Sequence, residues 1–432
     1  MRGEEMKSSK LPLQRVKTLV KEMTADIKLF YKHLPKLVSA DGHRVYEFGA
    51  MMANDLKLPK ILEAIISAQI QALPQLKTQF IRGYFSSLRG RDREAWESAI
   101  LNLLENESIR TIGVQATIGS GISPAILKML LSLYREGNVN SDVFVILRWQ
   151  INHDDIPSDL IEKVLSTLIG SPDENALRVA IEMADSYFFN KEKPMACNET
   201  VLFNLLTADV FFHRAIETMV GYHWHSVAKG FLERFPERDL DLFSAILLHV
   251  DELSGLRSMS YPSQIADIIA KKHPDPAWAM ISKILEEREN IYRIVSWLGD
   301  EIGFGEGSLP GAIRFFDPDG VIAWIALDSE QRARRLLPCL PKTLDERDGG
   351  GLTCLFIERF GNDEELSDDL ISHFWTGGWS GPESAYLSSK RENARRWISQ
   401  TKSSKILSWL YRYVEYLNKR ITSAEIQEER EF

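Results

Sequence analysis

The sequence is poor in cysteine. Its 432 residues contain three, Cys197, Cys339 and Cys354, and these lie far apart along the chain. Three scattered thiols are too few for a disulfide framework or a cysteine-based zinc site. We therefore expect a protein of the reducing cytoplasm that holds neither a metal ion nor another cofactor.

Long apolar runs are also absent. No stretch approaches the roughly 18–20 residues that a membrane-spanning helix needs, and no apolar segment follows the charged start MRGEEMKSSK. We predict no membrane span and no secretory signal. A content of 44% hydrophobic and 26% charged residues is typical of globular proteins, so it excludes long disorder and fibrous classes.

Motifs of nucleotide binding and catalysis are missing too. The sequence has no GxxxxGK[ST] phosphate loop, no GxSxG nucleophile turn and no HExxH metal motif. Residues 119–121 (GSG) lack a following lysine and residues 303–308 (GFGEGS) carry a glutamate, so we interpret both as turns. His223 and His225 could share a metal on a strand but not on a helix, and their surroundings have helical periodicity. We predict that the protein is not an enzyme.

Apolar residues instead recur at helical spacing along most of the chain, as in Ile126, Leu127, Leu130 and Tyr134. The best strand candidate, residues 142–149 (DVFVILRW), fits a helix as well. Turn residues mark short helices. Ser123-Pro124 predicts one helix start and Gly137 its end, and Ser158 and Gly170 enclose the next helix.

Short helices cannot bury an apolar stripe alone, so they must stack on one another. Pro124 and Pro157 begin helices 33 positions apart, and Trp278 and Trp324 lie 46 apart. Units of about 35–47 residues are the period of HEAT and armadillo arrays. We predict an all-α fold, an irregular HEAT/armadillo-like helical repeat solenoid; the alternative is an irregular all-α domain.

We predict three segments: a basic N-terminal helix over 1–40, helical repeats over 41–302, and C-terminal helical repeats over 303–432. The clearest breaks are GFGEGSLPG (303–311) and LDERDGGG (344–351), which read as loops or hinges between helices.

Charge is distributed unevenly. Residues 1–40 carry a net +5, residues 390–420 a net +7 and residues 421–432 a net −3, so a total of −9 leaves −18 on residues 41–389. The acidic body repels nucleic acid along most of its length, whereas both ends are basic. The N-terminal helix has lysines opposite its apolar side. We interpret it as the first helix of the array, and docking on a membrane surface or partner is the alternative.

The C-terminal region contains the candidate binding residues. Trp375 and Trp379 flank a glycine-rich turn, where they either fold back to seal the helical stack or form an exposed recognition loop. The last helix has a second stripe beside its core face, in which basic residues alternate with aromatic ones: Lys405, Trp409, Arg412, Tyr416 and Arg420. This pattern suits base stacking and phosphate contact, or a widened packed face with cations reaching water.

The order of segments in this region resembles a known family. AWIALDSEQRARRLLPCLP (323–341) is followed by LTCLFIERFGNDEELSDDLISHF (352–374), WTGGWSGPES (375–384) and ILSWLYRYVEYLNKRI (406–421). Over about residues 260–432 the chain resembles the C-terminal HEAT-like regions of bacterial NACHT and related STAND-type proteins of antiphage defence. The resemblance implies a sensor or scaffold part. The chain has no phosphate loop and no recognisable effector domain, so no catalytic residue is transferred.

We therefore expect a non-catalytic scaffold or sensor for macromolecular recognition in bacterial antiphage defence. Its expected partner is a protein: an NTPase or nuclease effector, or a phage component. One alternative is a nucleic-acid-binding helical repeat protein that uses the basic ends. Another is an enzyme whose site is assembled from distant residues near His373, Trp375 and Trp379.

Overall fold

The computed structural model describes residues 2–55, 59–72, 77–145, 156–189, 196–213, 218–249, 261–289, 291–299 and 311–431. Regular structure in these ranges is helical, and they contain no β-strand. The chain divides into two compact units, Met1–Leu205 and Leu206–Phe432. The predicted fold class, an all-α irregular helical repeat, is confirmed.

The first unit contains helices of 11 to 24 residues, followed by a shorter helix that ends at the unit boundary. They are α1 (Arg2–Ala25), α2 (Ile27–Val38), α3 (His43–Asp55), α4 (Pro59–Gln71), α5 (Gln79–Arg91), α6 (Arg93–Glu105), α7 (Arg110–Ser120), α8 (Pro124–Arg135), α9 (Ser158–Ile169), α10 (Glu174–Phe188) and α11 (Glu199–Leu206), with a 3-10 helix at Ser141–Val145.

The helices of the second unit are more varied in length and are interrupted by 3-10 turns. They are α12 (Val210–His213), α13 (Thr218–Arg234), α14 (Asp239–Leu248), α15 (Tyr261–Lys272), α16 (Pro274–Glu287), α17 (Tyr292–Leu298), α18 (Pro318–Ala326), α19 (Ser329–Leu336), α20 (Gly351–Phe360), α21 (Glu364–Trp375), α22 (Glu383–Gln400) and α23 (Ser404–Glu431). The 3-10 turns are Pro236–Arg238, Ala312–Phe315, Leu337–Cys339 and Glu346–Asp348.

The predicted helix starts and ends agree with the structure. The Ser123 hydroxyl accepts the Ile126 amide hydrogen at 3.3 Å, and Pro124 is the first residue of α8. Gly137 follows the end of this helix with φ of +74°, a conformation that glycine adopts without strain. Helix α9 ends directly before Gly170.

Several hydrogen bonds between neighbouring elements of the array join residues at a similar distance along the sequence. Each of six such bonds joins residues 30 to 38 positions apart. In the first unit they join Ser87 to Asn54, Arg135 to Thr167 and Asn175 to Asp142; in the second they join Trp297 to Asp267, Trp324 to Glu286 and His373 to Leu340. A separation near one repeat length, recurring within each unit, is the packing of a helical repeat.

The spacing of the two tryptophans that suggested a repeat also corresponds to a contact. The rings of Trp278 and Trp324 meet edge-on, with centroids 5.7 Å apart. The Trp324 indole N–H donates to Glu286 Oε1 at 2.8 Å, so this tryptophan is held on its neighbouring helix.

Helices α3 and α5 approach each other closely at two glycines. A Cβ atom on Gly83 would overlap the backbone carbonyl oxygen of Tyr46, and one on Gly49 would overlap that of Phe80. Backbone therefore packs against backbone here, and the contact depends on the absence of a side chain.

Some predicted features fall partly outside the described residues. Residues 141–145 form a 3-10 helix, whereas 146–149 of the strand candidate and 303–310 of the first predicted break lie outside. The unit boundary at Leu205 and Leu206 falls inside the segment predicted as 41–302, so the three predicted segments stay a prediction.

Candidate interaction surface

Three helices of the second unit carry the residues that the sequence analysis singled out. Helix α21 leads through residues 376–382 into α22, and α23 packs against α22. Phe374 of α21 meets the rings of Trp397, Trp409 and Tyr413 edge-on, with centroids 6.2, 5.2 and 5.8 Å away. This aromatic cluster joins the three helices.

Trp409 belongs to this cluster and is buried. Its side chain is 1% exposed and stacks on Tyr413 with centroids 5.4 Å apart. Its ring is therefore closed to a nucleic-acid base or a protein partner, which corrects its prediction as a binding residue. The reason is that helices on two sides of α23 bury a wider face than the single apolar stripe seen in the sequence.

The two arginines of the stripe pair with carboxylates of neighbouring helices. Arg412 Nη2 lies 2.8 Å from Asp368 Oδ1 on α21, and Arg420 Nη2 lies 2.7 Å from Glu383 Oε1 at the start of α22. A phosphate would have to displace these carboxylates. The arginines thus link α23 to its neighbours through partly exposed ion pairs, and their role as phosphate contacts stays a prediction.

Lys405 contacts the C-terminal end of α20. Its Nζ donates to the backbone carbonyl of Glu358 at 2.8 Å, in the last turn of α20. Arg288 makes the same type of contact to the carbonyl of Leu248 at 3.2 Å, and Arg335 to that of Arg288 at 3.0 Å. Cations stabilise helix C-terminal ends because the carbonyls there lack partners and carry partial negative charge. Lys405 therefore has a structural role.

Trp375 and Tyr416 pack at the same end of the unit. The Arg420 guanidinium lies 4.7 Å from the centroid of the Trp375 ring, and the Tyr416 ring centroid lies 6.3 Å from it. Both aromatic side chains are half-buried. Trp375 thus takes the position that the seal interpretation expects.

Trp379 differs from Trp375 because it keeps an open side. It is 39% exposed and stacks on Tyr386, with centroids 5.2 Å apart and planes inclined by 16°. The Tyr386 hydroxyl donates to the Trp375 carbonyl at 3.2 Å, and a Cβ on Gly377 would lie 2.7 Å from that hydroxyl. Gly381 takes φ of +91°, which turns the chain into α22. The turn therefore holds an accessible indole in a fixed position.

The second unit also contains an open cleft. Its volume is about 850 Å³, and it lies between the 3-10 turn Glu346–Asp348, α20, the end of α22 and the start of α23. Its apolar lining is Leu344, Cys354, Trp397 and Ile406; its charged lining is Asp345, Glu346, Arg347, Asp348, Glu358, Arg396 and Lys402. Sequence reasoning missed this cleft, because its walls come from segments about fifty residues apart.

Some of the charged side chains that line the cleft form ion pairs, and others do not. Arg396 Nη2 lies 2.9 Å from Asp345 Oδ2. The carboxylates of Glu346, Asp348 and Glu358 form no ion pair within the described part of the chain. These exposed carboxylates can therefore take a cationic group of a partner, in competition with Arg347 and Lys402 of the same lining.

The thiol of Cys354 lines the cleft and has a raised pKa. Burial raises its pKa to about 11, with further contributions from Glu358, Glu346 and Asp345. A raised pKa means that the thiol stays protonated at neutral pH, so the reactive thiolate is about a thousandth of the population at pH 8.

We predict that iodoacetamide labels Cys354 slowly at pH 7 and about tenfold faster for each pH unit up to about 10. Glu358→Gln is expected to speed the labelling, because it removes one of the charges that raise the thiol pKa. Peptide mass spectrometry of the folded protein measures both rates. Fast labelling at pH 7 with a flat pH profile would contradict the raised pKa of this thiol.

A second cleft, of about 500 Å³, is lined by His373 among other residues. Several of its polar side chains already have partners within the protein. Arg334 Nη1 lies 3.1 Å from Asp369 Oδ2, and His373 Nε2 lies 2.8 Å from the Leu340 carbonyl oxygen. The Lys342 ammonium donates to the Thr376 carbonyl at 2.6 Å. These polar groups hold α21 against the preceding turn.

The described ranges contain neither a metal-binding cluster nor a membrane-spanning helix. No group of three or more histidine, cysteine, aspartate or glutamate side chains there is placed to hold a metal ion. His223 and His225 lie on α13, as the helical interpretation of that segment expects. In the same ranges no helix is both long and apolar enough to cross a membrane.

Comparison with known proteins identifies no relative: no protein-family model and no curated protein matches the sequence. The resemblance of residues 260–432 to NACHT and STAND-type repeat regions therefore stays a prediction.

Proposed function

We propose that this chain is a non-catalytic recognition scaffold that binds a protein partner through the second unit. The observation that supports this is the open cleft of about 850 Å³, whose apolar floor is bordered by unpaired carboxylates. A segment that inserts a basic side chain between Glu346 and Glu358 and covers Trp397 would satisfy both features. Few residues of such a contact would supply most of its affinity.

Trp379 extends this recognition surface. Its stacked ring already has a fixed position, so a partner loses little conformational freedom when it covers the exposed side. Tryptophan is also the residue type most enriched among residues that dominate binding energy. The partner that we propose is an NTPase or nuclease effector, or a phage component.

A charge reversal in the cleft tests the role. Glu346→Lys with Glu358→Lys is expected to abolish capture of partners that tagged wild-type protein retains in its host. The matched control is Glu289→Lys with Glu429→Lys, which changes the net charge equally at exposed positions outside the cleft lining. Quantitative mass spectrometry identifies the proteins lost, and calorimetry with the purified partner measures the affinity.

Two results would contradict the scaffold role. One is the same set of captured proteins from wild type and the cleft variant while both keep their helical content. The other is substrate turnover by the purified chain, because the proposal assigns it no catalytic group.

The setting in antiphage defence is proposed on the resemblance alone. Cells that lack the gene are expected to be more sensitive to phage, and wild-type protein but not the cleft variant is expected to restore resistance. We place this role in the cytoplasm, which agrees with the free state of Cys197, Cys339 and Cys354. Equal plaque numbers with and without the gene, across a broad phage panel, would remove this part of the proposal.

A further inference from the structure

We propose that the first two helices of the chain form a binding site for the phosphate backbone of nucleic acid. The centre of the site is the lysine face, which consists of the exposed Lys28, Lys32 and Lys36 of α2. Exposed Arg15, Lys17 and Lys21 of α1 contribute further positive charge. This site goes beyond the protein-binding role, since it lies in the other unit and recognises a different class of molecule.

The packing of α2 determines which side carries the lysines. Phe30, Leu34 and Val38 are buried, with 0, 3 and 0% of their surface exposed. Because these apolar residues face the protein, Lys28, Lys32 and Lys36 lie on the exposed side of α2. They follow one another at intervals of four residues. Four residues of α-helix rise about 6 Å, so a single row of positive charges of regular spacing runs along the helix.

These cations have no partner among the described residues. Neither the three lysines of the lysine face nor Arg15, Lys17 and Lys21 form an ion pair or a side-chain hydrogen bond there. The arginines near the C-terminus are different, because Arg412 and Arg420 are already paired with carboxylates. Among the described residues, the N-terminal basic region thus retains a group of charges that form no ion pair.

The nearby carboxylates do not neutralise this charge. Residues 14–39 contain six Lys and Arg and two Asp and Glu, a net +4. The Asp26 carboxylate accepts the amide hydrogens of Lys28 and Leu29 at 3.0 and 3.4 Å, so it caps α2. Asp41 lies 3.3 Å from Lys77. Glu22 is the remaining acid, exposed on α1.

Charge and shape favour nucleic acid over a membrane. An interfacial helix inserts an apolar side into the lipid, but the apolar side of α2 is already buried in the protein. A nucleic-acid strand offers phosphates at regular intervals, which match a row of one sign better than an irregular acidic protein surface does. The acidic remainder of the chain, net −18 over residues 41–389, disfavours such contacts elsewhere.

Fluorescence anisotropy with labelled single-stranded and duplex oligonucleotides tests the inference on the full chain. The variant Lys28→Gln, Lys32→Gln, Lys36→Gln keeps good helix formers and removes three charges. The control Lys283→Gln, Lys402→Gln, Lys419→Gln removes three exposed lysines from the second unit. We expect wild type to bind at low salt, the α2 variant to bind about tenfold or more weakly, and its salt slope on duplex to fall by about 0.9 per lysine.

Several results would overturn the inference. They are no binding by wild type at low salt, equal losses in the α2 variant and the control, equal affinity for polyglutamate, and binding to phosphatidylserine vesicles and not to oligonucleotides. Circular dichroism of the α2 variant excludes loss of helix as the cause of weaker binding. Retained affinity in a folded α2 variant would also overturn it.

Discussion

Replacing Gly83 with alanine is expected to destabilise the first unit by about 3 kcal/mol. The added methyl group would occupy the position of the Tyr46 carbonyl oxygen, so α3 and α5 must separate. Separation of two helices loses the dispersion contacts along their whole interface, because packed interiors have few voids to absorb the shift. Hydrogen exchange measured by mass spectrometry on α3 and α5 would record the loss of protection.

The same helix offers a matched control. Gly90 is exposed on α5, and a Cβ atom there would meet nothing within 4 Å. Gly90→Ala is expected to stabilise the protein by about 0.5 kcal/mol, since alanine loses less conformational entropy than glycine in a helix. Equal effects of the two substitutions would show that α3 and α5 do not pack backbone to backbone.

Trp409→Ala is the second substitution with a large expected effect, a loss of about 3–5 kcal/mol from the stability of the second unit. The indole is 1% exposed and lies between Phe374 and Tyr413, so truncation would leave a cavity in the aromatic cluster that joins three helices. Denaturant unfolding measures the loss, and hydrogen exchange locates it in α21 to α23.

Tyr411 provides the comparison on the same helix. It is 60% exposed, so Tyr411→Ala is expected to change stability by less than about 0.5 kcal/mol. If Trp409 were a ligand-stacking residue, its substitution would weaken binding and leave stability unchanged. That pattern would contradict the buried position.

Local features of this fold could be predicted from the sequence. Ser123-Pro124 and Gly170 act through their own backbone preferences, which depend on neighbours a few positions away. The apolar spacing likewise predicts helices because it depends only on the turn per residue. The spacing of Trp278 and Trp324 favoured a repeat, but it did not indicate the contact between their rings.

The partners of the C-terminal stripe could not be predicted. Arg412 and Asp368 are separated by 44 residues and Lys405 and Glu358 by 47, and nothing in the sequence indicates which charges face each other. Trp409 was assigned to a second stripe because Leu410 was placed on the core face. The structure buries both, together with Tyr413, since helical spacing puts positions three and four apart on one broad side.

The sequence separation of 30 to 38 residues in the inter-helix hydrogen bonds has a consequence for biosynthesis. In several of these bonds a helix contacts a segment 30 to 33 residues away along the chain, so the contacts join residues of modest sequence separation. Proteins of low contact order fold quickly, because little loop entropy is lost before contacts form. Within each unit, a newly made helix therefore has its docking surface ready as it leaves the ribosome, and the nascent chain grows by addition onto a folded end.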